Sequence, residues 1–401
     1  MKRRSALAAL ACVVASSPAG AQASAPVSAS TSAPARSGVF AWGPQGCWID
    51  AGEGALSHLP DRLAPGIEPG ATADGLWLVT ASGALHCWEA DTVSSWRLRC
   101  AVELAAPVHA LATSPDGRWV LAAHGEQLSL LDARGRVAKT FEGTDLQRSH
   151  RGPATVLFML PQRRSFAAAW PALGELWEIP LDPGAEPIFD GLVHDYRLSE
   201  GITTPGYLGA RRAPLGRPLP AFSFADERVA WLAGMQDNEV VVVHLDVRRR
   251  IAALRVDAAN PAGATLRPAA RERGPAAWWL PAGNEVQVFD ASRWVRLAVH
   301  ALPGPVRQLQ AVDDAVWALV GEHRAADLFV LRDGNAGGWQ RMGGLAGPWL
   351  ALRREPRGSR LLALRADPPA LLMLDSGGGV LRTWPLPPAT AMRGAGWIPM
   401  A

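Results

Sequence analysis

Residues Ser114–Ala123, which read SPDGRWVLAA, decide the fold because they join a tight turn to a short apolar strand. The Pro-Asp-Gly centre suits a turn, and the last five residues of the stretch are all apolar. A second strand-like run, Gln127–Leu131, ends at Asp132, and a third follows over Arg136–Phe141. The segment therefore predicts an antiparallel unit of short strands separated by turns.

The same plan recurs along the chain. Further units begin near Phe40, Leu76, Ser165, Val229, Ala277, Val316 and Leu361. Their second strands are predicted over Leu85–Glu89, Glu175–Ile179, Val240–Asp246, Glu285–Asp290, Asp327–Leu331 and Ala370–Asp375. Starts about 36 to about 48 residues apart, with one interval of about 64, are typical of β-propeller blades. We therefore predict an all-β chain that forms an eight-bladed propeller, with seven blades as the alternative because the first unit is poorly patterned.

Composition agrees with a turn-rich all-β protein. The 401 residues are 48% hydrophobic and include 40 Gly, 33 Pro and 17 Trp. That apolar fraction can fill a large core, which excludes general disorder, and the many Gly and Pro residues suit a chain with many turns. Most Trp residues lie in predicted strands, where we expect them to pack blade against blade.

Charge gives no sign of a nucleic-acid partner. The net charge is +3, and the Lys-Arg-Arg run at residues 2–4 supplies three of the 40 basic residues. Without that run, 37 basic residues face 37 acidic ones. A chain with balanced charge lacks the basic surface that binds phosphate backbones, so we expect no nucleic-acid binding.

Residues 1–21 are predicted to be a cleaved secretory signal peptide. The basic run is followed by an apolar segment over residues 5–15, and Ala19-Gly20-Ala21 supplies the small residues of a signal-peptidase site. The apolar segment is too short to span a bilayer. A lipoprotein signal using Cys12 is the less favoured alternative, because Ala9 stands where a larger aliphatic residue is usual. The sequence thus predicts a periplasmic protein.

After the signal, the chain divides into a leader and a folded domain. Residues 22–38 are rich in Ala, Ser and Pro and are expected to be a disordered leader. Residues 39–401 are predicted to form the propeller. No later segment reaches membrane-spanning length without charged or turn residues, so we expect no membrane span.

Three cysteines remain after the predicted cleavage, namely Cys47, Cys87 and Cys100. An odd number in an oxidising compartment allows one disulfide and one free thiol. Cys87 and Cys100 end two consecutive strand-like runs, so they are the hypothesised pair across a hairpin. No CxxC, CxxCH or Cys/His ligand spacing is present, which argues against covalent c-type haem and structural zinc.

The longest interval between units contains an insertion. It reads IFDGLVHDYRLSEG over Ile188–Gly201 and continues through Pro205–Leu208 to Arg211 and Arg212. His, Asp, Tyr, Arg and Glu occur close together in this stretch, which makes it the most chemically capable part of the chain. Propeller loops collect at the ends of the ring, where ligands can reach them.

At this point the sequence resembles the haem d1 propellers, which include the haem d1 domain of periplasmic nitrite reductase and relatives in haem d1 biosynthesis and transfer. The resemblance is carried by Arg163–Phe166, Leu176–Ile179, the HDYR run at His194–Arg197, and Glu200-Gly201. Leu245–Ala252 is similar to the following segment of the biosynthetic relatives. The resemblance is firm over residues 107–255 and architectural elsewhere.

The resemblance implies a cofactor site. In that family the His before Asp is the proximal axial ligand of the haem d1 iron, which maps onto His194, the expected metal ligand. Family arginines on the preceding blade hold the macrocycle carboxylates, and Arg151 and Arg164 occupy similar places. Tyr196 and Arg197 complete the expected cofactor-binding set, with anchoring of the insertion as their alternative role. A neutral imidazole suits iron, and guanidinium groups bind carboxylates through paired hydrogen bonds.

Two departures argue against full nitrite reduction. The family has distal histidines on two later segments, and the corresponding regions here, residues 260–267 and 304–309, contain no His. Delivery of protons to a leaving oxygen near neutral pH is usually the task of His. We also expect no c-type haem domain to supply electrons, because the sequence contains no CxxCH motif.

Two functions follow as expectations. The first is a periplasmic protein that binds haem d1 or its precursor tetrapyrrole and acts in cofactor biosynthesis or in handover to nitrite reductase or other maturation proteins. The second is a cofactor-free propeller that serves as a scaffold for protein interactions. The sequence leaves open whether any reaction is catalysed. The retained HDYR run favours the first function, and the missing distal histidines favour the second.

Overall fold

The computed structural model describes residues 38–50, 56–73, 75–91, 95–146, 148–189, 203–216, 221–226 (backbone only), 231–267, 276–322, 325–332, 338–345, 347–356, 358–387 and 391–398. The predicted signal peptide (1–21) and all but the last residue of the predicted leader (22–38) lie outside these ranges. Within them, no helix is long and apolar enough to cross a membrane.

The chain forms eight four-stranded antiparallel sheets, arranged as the blades of a propeller. This confirms the predicted all-β, eight-bladed fold. Helix among the described residues includes two single turns of 3-10 helix, Pro171–Leu173 and Pro261–Gly263. Both begin at Pro, whose fixed φ suits a first helical position.

The first half of the ring is built as follows. Blade 1 contains β1 (Gly38–Gly43), β2 (Gly46–Asp50) and β3 (Ser57–Leu59). Blade 2 contains β4 (Gly70–Thr72), β5 (Gly75–Val79), β6 (Leu85–Ala90) and β7 (Trp96–Val102). Blade 3 contains β8 (Val108–Thr113), β9 (Trp119–His124), β10 (Gln127–Asp132) and β11 (Val137–Glu142). Blade 4 contains β12 (Val156–Leu160), β13 (Ser165–Trp170), β14 (Glu175–Pro180) and, after the two-stranded pair β15 (Ile188–Phe189) and β16 (Thr203–Thr204), β17 (Arg211–Pro214).

The second half continues in the same way. Blade 5 contains β18 (Ala221–Asp226), β19 (Trp231–Gln236), β20 (Glu239–His244) and β21 (Arg249–Arg255). Blade 6 contains β22 (Thr265–Arg267), β23 (Ala277–Ala282), β24 (Glu285–Asp290) and β25 (Arg296–Ala301). Blade 7 contains β26 (Val306–Val312), β27 (Ala315–Val320), β28 (Asp327–Arg332) and β29 (Gln340–Arg341). Blade 8 contains β30 (Trp349–Arg354), β31 (Leu361–Ala366), β32 (Pro369–Leu374) and β33 (Val380–Pro385), and β34 (Gly394–Ile398) completes blade 1.

The ring is closed by pairing the two ends of the described chain in one sheet. β34 lies antiparallel to β1, with Gly38 opposite Ile398 and Trp42 opposite Gly394. Blade 1 therefore takes its first strand from the C-terminal end and its other three from the N-terminal end. This division explains why the first unit is poorly patterned in the sequence.

The first strand of each blade is the innermost one. First strands of neighbouring blades contact each other, for example β4 with β8 and β30 with β34. Side chains also bond adjacent inner strands. Gln308 of β26 donates to the carbonyl of Leu352 in β30 at 2.6 Å and accepts from the N–H of Leu352 at 3.0 Å. Such bonds fix the spacing of the blades around the ring.

The apolar core is divided among the junctions between blades. Eight clusters of buried residues are present in the described chain, one between each pair of adjacent blades. Trp77, Trp231, Trp278 and Trp317 are almost fully buried in these clusters. The Trp231 and Trp278 rings, from blades 5 and 6, meet edge to face at 5.9 Å. The Trp residues thus pack blade against blade, as expected.

The antiparallel order gives the ring two distinct ends. Connections from first to second strands and from third to fourth strands lie at one end, which includes the turn Ser114–Arg118 and is called end A. Connections from second to third strands and between blades lie at the other, called end B. In blade 4, residues 161–164 lie at end A, whereas 143–155 lie at end B.

Candidate functional site

Blade 4 carries the insertion identified in the sequence. The insertion connects β14 to β17, the third and fourth strands of the blade, and therefore starts and finishes at end A. Its central part, residues 190–202, lies outside the described residues. The predicted site residues His194, Tyr196 and Arg197 belong to that part.

The described stems of the insertion lie at the outer rim of the ring. Ile188 pairs with Thr204 in the small sheet β15–β16. The N–H of Leu208 donates to the carbonyl of Pro180 at 2.8 Å. The carbonyl of Leu208 accepts from Lys139 Nζ at 2.6 Å, and Lys139 belongs to β11, the outermost strand of blade 3. The insertion is therefore anchored between the outer parts of blades 3 and 4.

Arg164 lies at the base of the insertion. Its backbone has a left-handed φ of 50°, and its carbonyl accepts from the N–H of Leu181, where the insertion begins. The guanidinium Nη1 donates to Asp182 Oδ2 at 3.0 Å. Both side chains are about half exposed, at 57% and 44%. Arg164 is thus accessible, and its present partner is a residue of the insertion itself.

Arg151 lies at the other end of the ring. It pairs through its backbone with Thr144 in the connection that enters blade 4, and its side chain is exposed. Arg151 precedes β12 and Arg164 follows it, and a five-residue strand spans about 17 Å. Both residues border the first strand of the blade that carries the insertion.

Three residues of the family-like string form a buried ion-pair network. Arg163 Nε and Nη2 donate to the two carboxylate oxygens of Glu178 at 2.8 and 3.1 Å, and Ser165 Oγ donates to Glu178 Oε1 at 2.8 Å. Arg163 also reaches Asp246 of blade 5 at 2.9 Å. Burial opposes the charge of Arg163, but Glu178 and Asp246 outweigh it and raise its pKa. These residues hold blade 4 to blade 5.

A second network fixes the fourth strand of the blade. Glu175 Oε2 accepts from Trp177 Nε1 at 2.6 Å and from Arg212 Nε at 2.8 Å. The Arg212 guanidinium stacks over the Trp177 ring at 4.3 Å and donates to the carbonyl of Thr144. Arg212, at the end of the insertion, therefore ties blade 4 to the connection from blade 3.

His109 is an exposed histidine on an inner strand, β8. It lies near the end B start of β8, and its Nε2 donates to the carbonyl of Ala154 at 2.8 Å. A carbonyl only accepts, so the neutral ring keeps Nδ1 as an acceptor. An imidazole held by a backbone carbonyl in this way is oriented as metal-bound histidines are. The sequence pattern did not define inner strands, so this position carried no signal.

A nearby histidine is structural. His124, at the end of β9, is 3% exposed, and its Nε2 lies 2.8 Å from Ser129 Oγ. Burial, followed by the charge of His109, lowers the pKa of His124. Across the described ranges, no three His, Cys, Asp or Glu side chains are grouped to hold a metal ion.

A cleft of about 350 Å³ lies at end A, between blades 1 and 2. Its lining includes Glu89, Trp96, Arg99 and Ile398. Trp96 Nε1 and Arg99 Nε are buried there without a hydrogen-bond partner. The cleft is two blades away from the insertion, so it is separate from the predicted cofactor residues.

Comparison with known proteins defines the fold. No family model matches the chain, and no curated protein matches its sequence. Solved structures resemble the chain in fold, and the resemblance extends over most of its length. By fold, the protein is an eight-bladed β-propeller.

One of these structures is described as dihydro-haem d1 dehydrogenase NirN in complex with DHE. It superposes with a TM-score of 0.70 and 19% identity over 90% of this chain and 75% of the other. BamB from Moraxella catarrhalis gives 0.52 with 15% identity over 83% and 92%, and a chain of the mitotic checkpoint complex gives 0.51 with 13% over 78% and 92%. The likeness to NirN agrees with the resemblance to haem d1 propellers, and at this identity it establishes the shared fold.

Proposed function

We propose that the protein binds haem d1 or its precursor tetrapyrrole and takes part in maturation of the cofactor or its handover to nitrite reductase. The observation that carries the proposal is the superposition, over 90% of the chain, on a propeller described as a dihydro-haem d1 dehydrogenase in complex with DHE. The HDYR run at His194–Arg197 and its neighbours, which resemble the haem d1 propellers, support it independently.

The donor groups of blade 4 fit such a ligand. Arg164 is exposed at the base of the insertion and is paired with the equally accessible Asp182, so a ligand carboxylate can replace that partner. An exposed pair of this kind contributes at most about 1 kcal/mol, which makes the exchange inexpensive. Arg151 lies at end B, the other end of β12, so we do not expect it to bind the same ligand group. The proposal therefore keeps Arg164 as the carboxylate-binding arginine.

The insertion supplies the other proposed contacts. His194 would ligate the iron through a neutral imidazole, while Tyr196 and Arg197 would contact the macrocycle. When bound, the cofactor supplies an iron centre and a redox-active ring. The residues of the chain bind and orient it, and none is assigned to a catalytic step.

Location and partners follow from the same proposal. The segment over residues 1–21 has the pattern of a secretory signal, so binding would take place in the periplasm. Haem d1 is used there by nitrite reductase, which makes that enzyme or another maturation protein the proposed recipient. No nucleic acid is part of the proposal, because charge in the chain is balanced apart from residues 2–4.

A spectral titration tests cofactor binding. Purified exported protein is titrated with haem d1, and the visible spectrum is recorded. We expect a saturable shift in the wild type that is lost in His194→Ala. The matched control is His58→Ala, an exposed histidine of blade 1. A wild-type spectrum that never shifts, or an undiminished shift in His194→Ala, would overturn the proposal.

A cofactor-free scaffold is the second candidate, and one observation favours it. Several large apolar side chains are exposed on outer strands, namely Leu98, Val137, Ile251, Leu297, Val299, Val380 and Leu381. Outer strands also present unpaired backbone groups that can bind another chain. The same titration separates the two candidates, because a scaffold without a cofactor leaves the haem d1 spectrum unchanged.

A further inference from the structure

We infer that Cys87 and Cys100 form a redox-active dithiol, which a small disulfide oxidises to a single bond between two strands of blade 2. Cys87 of β6 lies directly opposite Cys100 of β7 in the antiparallel register. Opposed residues in such a pair have Cα atoms about 4.5 or about 5.5 Å apart. A disulfide bridges Cα separations of about 4.4 to about 6.8 Å. Both separations lie within the range that a disulfide bridges, and the pair lies next to a register shift between Cys87 and Trp88.

The surroundings of the two thiols favour their reaction with each other. Both belong to the apolar cluster between blades 2 and 3, with Trp77 and Val102. The two cysteines are free thiols, and the charge of the Arg99 guanidinium acts on each of them. Arg99 is held in place by a 2.7 Å bond from its Nη2 to the carbonyl of Ala133 in blade 3.

Arg99 also explains how a buried pair can react. Burial raises the pKa of Cys87 to about 12. Burial is also the main reason why the pKa of Cys100 is raised. The positive charge of Arg99 opposes this effect at both sulfurs. Thiolate is the attacking form in disulfide exchange, so Arg99 assists the step that burial slows.

Access distinguishes the two cysteines of the pair. Cys100 is partly exposed, whereas Cys87 and the third cysteine, Cys47, have 0% exposure. The Cys100 thiolate would attack oxidised glutathione and release one glutathione thiol. Cys87 would then attack Sγ of Cys100 and release the second. One small disulfide is thus reduced to two thiols for each protein disulfide formed, and the two protein thiol protons pass to glutathione.

Peptide mapping tests the inference directly. Trypsin cleaves after Arg97 and Arg99, so residues 63–97 and 100–118 are released as separate peptides unless a disulfide joins them. The folded full chain is treated with oxidised glutathione, its remaining thiols are blocked, and the digest is analysed by mass spectrometry without reductant. We expect a single species containing both peptides, which reduction separates, while Cys47 carries the blocking group only after unfolding.

Matched variants identify the steps. In Cys87→Ser we expect the oxidant to leave a lasting glutathione adduct on Cys100, because the resolving thiol is gone. Cys47→Ser should cross-link like the wild type, and circular dichroism confirms that each variant is folded. Separate peptides from the oxidised, folded wild type, or a stable glutathione adduct on its Cys100, would overturn the inference. This test involves no tetrapyrrole, so its result is independent of the proposed function.

Discussion

Trp384 donates its indole N–H to Asp50 Oδ2 at 2.7 Å, although the two residues are 334 positions apart in sequence. Asp50, at the end of β2 in blade 1, is 1% exposed, and Trp384 belongs to the outermost strand of blade 8. Arg382 approaches the same carboxylate at 3.5 Å and stacks over the Trp384 ring at 5.1 Å. The contact joins the blades that meet where the ring closes.

Replacement of Asp50 is expected to weaken that junction. Asp50→Ala leaves the Trp384 N–H buried without an acceptor, which costs about 2 to 3 kcal/mol of unfolding free energy. Arg382→Ala is the comparison and is expected to cost less, because the Arg382 side chain is 38% exposed and lies 3.5 Å from a carboxylate that keeps its bond from Trp384. Urea unfolding measures both. Equal losses in the two variants would contradict this account of the junction.

Arg163 has one buried and one exposed carboxylate partner, so the contributions of the two ion pairs to stability can be compared. Glu178→Ala removes the buried partner of Arg163, whose side chain is only 16% exposed, and is expected to cost about 3 to 5 kcal/mol. Asp246→Ala removes the partner that is 57% exposed and should cost less than about 1 kcal/mol. Unfolding free energies in urea test the order. A larger loss in Asp246→Ala would show that the buried carboxylate is not the main partner.

Asp290 is expected to make stability depend on acid pH. Its Oδ1 accepts from Ser292 Oγ at 2.6 Å and from the Ser292 N–H at 2.8 Å, and these bonds lower the pKa of Asp290. A group whose pKa is depressed by folding stabilises the protein above its unfolded pKa, which is about 3.9 for Asp. That stabilisation is lost as the pH falls through the folded pKa.

The measurement compares wild type with Asp290→Asn from pH 7 to pH 3. We expect the wild-type advantage in unfolding free energy to stay constant down to about pH 5 and to shrink below about pH 4. If the difference in unfolding free energy between wild type and Asp290→Asn were the same at pH 7 and pH 3, the Ser292 bonds would not favour the ionised carboxylate.

The two candidate arginines are expected to behave differently. Arg164→Ala should weaken haem d1 binding about tenfold, since a charge-assisted hydrogen bond contributes about 1.5 kcal/mol or more. Arg151→Ala should leave binding unchanged, because it lies at end B. Both side chains are exposed, so neither variant should lose more than about 1 kcal/mol of stability. Spectral titration would refute this assignment if Arg151→Ala were the weaker binder.

The fold was predictable because second and third strands have a strong sequence pattern. The predicted starts at Leu76, Ser165 and Leu361 fall on β5, β13 and β31, each the second strand of its blade. These strands are buried on both faces, so they read as continuous apolar runs bounded by turns. The long interval after Ser165 is explained by the insertion between β14 and β17.

Inner strands and ring closure were not predictable from the same pattern. β4 and β22 have only three residues each, too few for a periodic signal. β34 has a buried face but pairs with β1 across the whole chain, and no local pattern encodes such a partner. His109 lies on an inner strand, β8, so the sequence pattern gives no indication of its position at the ring.

The candidate site was predictable in part. The string around Arg163 carries part of the resemblance to haem d1 propellers. The structure shows that Arg163, Ser165 and Glu178 form a structural network. The resemblance to haem d1 propellers also grouped Arg151 with Arg164, although the strand β12 lies between them and they stand at opposite ends of the ring. Each strand takes the chain from one end of the ring to the other. Residues that are close in sequence can therefore lie at opposite ends.

The shared sheet of β1 and β34 sets the order in which the protein can be completed. The strand that begins at Gly38 is synthesised long before its partner, which ends at Ile398. Until that late segment is available, β1 keeps an open edge and blade 1 lacks the inner strand that contacts β30 of blade 8. A chain interrupted anywhere upstream of β34 therefore remains an arc, and the circle exists only once residues 394–398 have been synthesised.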